Sequence, residues 1–136
     1  MDIEIVAQVI AYAAVGLVVL VGGFLVLDLL TPGSLGKLVM DRNPNAAVLS
    51  SGILVALGLV LWFAIFFSDV GWDGLADAAV YGAIGVLAQA AGFFVLDLLI
   101  PGRLGSIVEQ PTLHPAAFFA AAGQLAVALV VCASLT

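Results

Sequence analysis

Four apolar runs, at 5–30, 46–67, 78–100 and 115–135, constrain this chain more than anything else in it. Each is long enough to cross a hydrocarbon core, which takes about 20 apolar residues in a helix. The charges inside them are Asp28 and Asp97, both near the end of a run. Composition points the same way: 65% of the residues are hydrophobic and 9% charged, against roughly one quarter charged in soluble domains. The expected fold class is an all-α membrane protein with four transmembrane helices. The first run reads as a helix rather than a secretory signal. Its leader carries Asp2 and Glu4 with no Lys or Arg, and no short apolar region ends in a small-residue cleavage site.

The chain also resembles itself. "GFLVLDLLTPGSLG", from Gly23 to Gly36, returns as "GFFVLDLLIPGRLG", from Gly92 to Gly105, 69 positions later. At that offset Tyr12 matches Tyr81, Gly16 matches Gly85, Asp28 matches Asp97 and Val39 matches Val108. Agreement over a helix and the loop after it is the mark of an internal duplication. The expectation is two tandem parallel helix-hairpin repeats within one transmembrane domain over 1–136, repeat one at 5–68 and repeat two at 74–136. Each would hold two helices, so both copies point the same way and their symmetry axis runs along the membrane normal.

Orientation follows from the three basic residues, Lys37, Arg42 and Arg103. All fall in the loops after the first and third helices, and a Lys/Arg bias in short loops marks the cytoplasmic side. Asp2, Glu4, Asp69, Asp73 and Asp77 fall on the other side, so both termini are expected outside a plasma (inner) membrane. The net charge of −6 argues against a nucleic-acid partner, which selects basic surfaces. The partners expected are the lipid bilayer and either further copies of the chain or other membrane proteins.

Within each copy, Pro32 and Gly33, and again Pro101 and Gly102, suit a type II turn with positive φ at the glycine. A short foot follows, in which Leu35, Leu38 and Val39, or Leu104, Ile107 and Val108, share one face that can lie at the lipid headgroup boundary. The second helix begins near Asn45, a plausible N-cap, or at Pro115, suited to a first turn.

An acid at the C-terminal end of a helix faces the negative end of the macrodipole. Asp28 and Asp97 therefore need compensation. They accept hydrogen bonds from the Pro-Gly turn or pair with Lys37, Arg42 or Arg103; or they form a cation or proton site about the symmetry axis; or they bind a partner. Gln89 and Gln124 fall mid-helix and suit interhelical hydrogen bonding. Gly16, Gly23, Gly85 and Gly92 suit close helix packing. Tyr12, Tyr81, Trp62 and Trp72 suit an aromatic belt. Asp69, Asp73 and Asp77 lack calcium-loop spacing and read as solvated, with Asp77 an N-cap. His114 reads as a cap or a solvated residue. Cys132 is the single cysteine, so no internal disulfide forms. No motif of an enzyme, a cofactor site or a metal site is present.

The twofold "GFxVLDLLxPGxLG", the four helices and the Asn45-Ala46 start of the second helix resemble the bacterial family of domain of unknown function 350, the uncharacterised transmembrane proteins UPF0719. The resemblance covers nearly the whole chain. It implies a small four-helix inner-membrane protein with an envelope or stress role. The second copy departs from the first in having His114-Pro115 where the first has Asn45-Ala46. The function expected is an accessory or scaffolding subunit of a membrane complex or homo-oligomer. The alternative is a small oligomeric cation or proton channel using Asp28 and Asp97.

Overall fold

The computed structural model describes residues 2–30, 35–69, 71–99 and 104–135. The turn residues Pro32, Gly33, Pro101 and Gly102, and the basic Arg103, lie outside them. In chain order the elements are α1 (Ile3–Leu30), α2 (Leu35–Met40), α3 (Pro44–Phe66), α4 (Asp73–Leu99), α5 (Leu104–Val108) and α6 (Pro115–Leu135). Among the described residues there is no strand. The four long helices, α1, α3, α4 and α6, have 28, 23, 27 and 21 residues and are apolar enough to span a membrane. At a rise of 1.5 Å per residue, even the shortest covers about 30 Å, the thickness of a hydrocarbon core.

Side-chain neighbours set the directions of these helices. Val19 of α1 lies against Gly82 of α4 and Gly23 against Val86, so α1 and α4 run parallel. Gly52 of α3 lies against Ala121 of α6, and the Cys132 thiol donates to the Leu59 carbonyl at 3.5 Å, so α3 and α6 run parallel too. Within each half the two long helices are antiparallel: Gly16 meets Ile65 and Gly23 meets Leu57, while Gly92 meets Val127 and Gly123 meets Leu96. The central element is α3, which packs on α1, α4 and α6. Half of its most apolar window is buried inside the protein, against 11% of that of α1. The peripheral α1 buries only Gly23 and Leu27.

Among the described residues, the larger of two core clusters lies toward the end of the bundle that carries α2 and α5, where Leu27, Leu35, Leu49, Ile53, Phe93 and Val108 meet. A smaller one of Ala56, Val60, Ala128 and Cys132 lies farther along α3 and α6. The apolar faces of the two feet differ from the expected headgroup-facing arrangement. Leu35 and Val108 are fully buried, Ile107 is 6% exposed and Leu38 packs on the core. A stripe of three apolar residues on one face says that the face is buried, not in what; here Leu35, Leu38, Ile107 and Val108 fold under the bundle while Val39 and Met40 stay exposed.

Local signals explain the ends of the elements. The N-cap of α3 is Asn43, not Asn45: its side-chain oxygen accepts the Ala46 N–H at 3.0 Å, and Pro44 occupies the first turn, where its missing N–H costs nothing. The same oxygen at Asn45 is committed elsewhere. The α2 helix closes with the Asn43 N–H on the Leu38 carbonyl and the Arg42 N–H on the Val39 carbonyl. That pair of bonds is a Schellman closure, in which the residue in Arg42's place adopts a left-handed conformation; φ of Arg42 is 64°. At the other end of the bundle α4 begins at Asp73, so Asp77 lies inside the helix instead of capping it. The chain turns at Gly71, φ 80°, and the acid in the first turn, Asp73, sits at the positive end of the helix dipole.

Candidate functional site

Both polar ends of the bundle, and one polar pair at its middle, bind the chain to itself. At the end carrying the feet, the carboxylate of Asp28 accepts the backbone N–H of Leu35, the first residue of α2. This answers the problem the acid raises. A carboxylate at the end of α1 is unfavourable for that helix, yet the same charge is favourable at the start of the next one, where N–H groups lack intrahelical partners. Lys37 and Arg42 are exposed, and neither forms an ion pair with Asp28 or Asp97 among the described residues. Asp97 is half-buried in the last turn of α4.

Beside the feet, Asn45 is fully buried and reaches across to the other half of the chain. Its Nδ2 faces three backbone carbonyls, Thr112 at 2.9 Å, Ile107 at 3.0 Å and Gln110 at 3.3 Å. Its Oδ1 accepts the His114 N–H at 2.7 Å. Asn43 adds a bond from Nδ2 to the Gln110 carbonyl at 3.3 Å. His114 then caps α6, its Nδ1 accepting the Ala116 N–H at 3.0 Å. The loop between α5 and α6 is thus fastened by side chains that precede it by more than 60 positions. Sequence periodicity missed this use of Asn45, since a contact so remote leaves no repeat of 3.6. The available signal was the polar triplet Asn43-Pro44-Asn45, which holds one asparagine more than a cap needs.

At mid-bundle, Gln89 of α4 and Gln124 of α6 are fully buried. With the Gln89 amide turned so that donors face acceptors, its Nε2 donates to Gln124 Oε1 at 2.7 Å and lies 3.2 Å from the Gln124 carbonyl. Its Oε1 accepts the Ala128 N–H at 2.9 Å. The pair ties α4 to α6, as an interhelical hydrogen bond does in lipid. Among the described residues, Gln124 Nε2 and the Ser50 hydroxyl have no partner.

At the opposite end, the Tyr12 hydroxyl donates to the Gly71 carbonyl at 2.7 Å, with that of Asp69 at 3.2 Å. It clamps the loop between α3 and α4. Tyr81 is exposed, as are Trp62 and Trp72, and Trp62 stacks on Phe66 with ring centroids 5.1 Å apart. Among the described residues, no three His, Cys, Asp or Glu side chains gather where a metal ion could be held. Asp69, Asp73 and Asp77 form no such group.

Known proteins give this arrangement a family. A UPF0719 transmembrane protein of Mycolicibacterium paratuberculosis is 44% identical over 130 residues, covering 93% of this chain and 85% of that protein. UPF0719 transmembrane proteins of Mycobacterium bovis and Mycobacterium tuberculosis are each 44% identical over 133 residues, covering 96% of this chain and 88% of theirs. No solved structure matches the chain. The family model described as Domain of Unknown Function (DUF350) matches residues 1–135. The chain, with four helices long and apolar enough to span a bilayer, therefore belongs to this family of bacterial transmembrane proteins.

Proposed function

We propose that the chain is a structural subunit of the plasma membrane, working as a homo-oligomer or as an accessory or scaffolding part of a larger membrane complex, with both termini outside. The observation that carries this reading is how its buried and half-buried polar groups are used. Asp28, Asn45 and Gln89 each hold one piece of the chain to another, which is the chemistry of a support. The surface left for partners is apolar. Between α1 and α4 runs a groove lined by Val19, Gly22, Gly23, Val26, Val86 and Leu87, and a Cβ added at Gly22 would meet nothing within 4 Å. Small residues on an exposed helical face are what let helices approach closely in lipid.

The chain is further taken as two tandem hairpins about an axis along the membrane normal. Three juxtapositions support this. Asn45 bonds His114 and Gly52 touches Ala121, both pairs 69 positions apart; and Gly23 meets Leu57 where Gly92 meets Val127, the partners 70 positions apart.

Native mass spectrometry from mild detergent tests the subunit reading. The expected result is an oligomer or a co-purifying protein, weakened by Gly22→Leu, which fills the groove. A monomer without companions across several detergents overturns it.

A further inference from the structure

We propose that the C-terminal end of α2 is a binding seat for an anionic membrane phospholipid, whose phosphate is held by Lys37 and Arg42. The starting observation is Arg42. Among the described residues it alone has positive φ without being glycine. The two bonds that close α2, Asn43 N–H to Leu38 and Arg42 N–H to Val39, use only backbone atoms, and a glycine would make both without the left-handed penalty of a side chain. The closure therefore needs the backbone conformation but not the guanidinium. A residue held against its conformational preference points to a role for its side chain.

The surroundings name the ligand. Lys37 and Arg42 are exposed and lack ion-pair partners among the described residues, so both are available to an anion. One residue, the N-cap Asn43, separates Arg42 from the 23-residue α3, whose positive end reinforces the field. Val39 is 38% exposed and Met40 83%, an apolar pair beside the cations. Cations next to apolar surface at the end of spanning helices match a molecule that carries its phosphate on an acyl-bearing backbone at the membrane boundary. A free phosphate has no use for Met40. Asp41 lies between the two cations in sequence and is exposed; it opposes the anion and sets the site's weakness.

The test is a native mass spectrometry titration of the detergent-purified full chain with phosphatidylglycerol and, separately, phosphatidylcholine, beside its melting temperature in lipid-free detergent. Wild type is expected to prefer phosphatidylglycerol. One basic residue near an anionic surface contributes about fivefold in binding. Arg42→Gly and Lys37→Gln should each weaken phosphatidylglycerol binding by about that factor and leave phosphatidylcholine unchanged, while Asp41→Asn tightens it. Arg42→Gly should melt at the same temperature or higher. An unchanged lipid preference in the Lys37→Gln/Arg42→Gly double variant overturns the proposal. So does a fall in melting temperature for Arg42→Gly, which makes the arginine structural, or displacement of the lipid by millimolar inorganic phosphate, which makes the ligand a free anion.

Discussion

Asn45 Oδ1 accepts the backbone N–H of His114 at 2.7 Å, and the two residues lie 69 positions apart, the offset at which the sequence resembles itself. A side chain at the start of α3 thus holds the backbone just before α6. The same asparagine presents Nδ2 to the carbonyls of Thr112, Ile107 and Gln110, so a single side chain ties the end of α5 and the loop after it to the start of α3.

Removing that side chain should be costly. Asn45→Ala takes the partner from the half-buried His114 N–H and from the Thr112 carbonyl, each loss worth up to about 1–3 kcal/mol. Asn45→Asp is expected to be worse, because it turns an acceptor toward three carbonyls. Thermal unfolding in detergent should rank wild type above Asn45→Ala and Asn45→Ala above Asn45→Asp. An Asn45→Asp variant as stable as the wild type would mean that Asn45 acts through its volume alone.

The glutamine pair should behave differently, because its apolar replacement already exists in the chain. The positions 69 residues before Gln89 and Gln124 hold Leu20 and Val55. Gln89→Leu alone strands the Gln124 amide, for about 1 kcal/mol, the range of interhelical hydrogen bonds in lipid. Gln89→Leu combined with Gln124→Leu should recover part of that loss, since no polar group is then left behind. A double variant as damaged as the sum of the single ones would remove the coupling on which the pair's role rests.

Glycine positions separate packing from propensity. A Cβ at Gly52 would stand 2.8 Å from Ala121 Cα, a backbone atom that cannot swing aside, so Gly52→Ala must push α3 from α6. Overpacking of this kind costs about 1–3 kcal/mol. At Gly58 the same Cβ meets nothing within 4 Å, and Gly58→Ala should leave stability unchanged or raise it by up to about 1 kcal/mol. Melting temperatures of the two variants should therefore move in opposite directions or differ sharply.

Much of this architecture was legible because the bilayer imposes a length. The runs at 5–30, 46–67, 78–100 and 115–135 correspond to α1, α3, α4 and α6, and the last ends at the same residue. Mid-helix glutamines, with no water to turn to, were readable as interhelical hydrogen-bonding groups, though not as partners for each other, which the packing of α4 on α6 decides. What composition could not give was direction. Leu35, Ile107 and Val108 announced an apolar face but not that it would turn inward, because either the core or the lipid boundary would bury it. Asn43 and Asn45 both suit a cap, and only Pro44 at the first turn assigns that task to Asn43. Asp77 looked like a helix start because the run of apolar residues begins after it, whereas Gly71 lets the chain enter α4 a turn earlier.

Orientation is open to a direct measurement. Gly36 and Asp73 are exposed at opposite ends of the bundle, and the basic residues Lys37 and Arg42 belong to the Gly36 end. In a Cys132→Ala background, Asp73→Cys should react with an impermeant thiol reagent added outside intact cells, and Gly36→Cys only after lysis. Labelling of Gly36→Cys from outside would reverse the topology.

The last prediction concerns Asp28, where support and conduction make opposite demands. Its carboxylate accepts the Leu35 N–H, so Asp28→Asn keeps an oxygen acceptor while losing the charge, and Asp28→Leu loses both. If the acid's work is to fasten α2, stability should fall modestly for Asn, by about 1 kcal/mol, and further for Leu, by about 1–3 kcal/mol, as the N–H is left without its partner. Liposomes containing the wild-type protein should then pass no more sodium, potassium or protons than empty ones. A channel demands the reverse order of sensitivities. A carboxylate at a mouth concentrates cations through its charge, so Asp28→Asn, alone or with Asp97→Asn, would abolish flux while the protein stayed assembled. Flux in the wild type that disappears in an intact Asp28→Asn/Asp97→Asn variant would replace the structural reading by the conducting one, because a neutral amide that still caps Leu35 has no other reason to change ion movement.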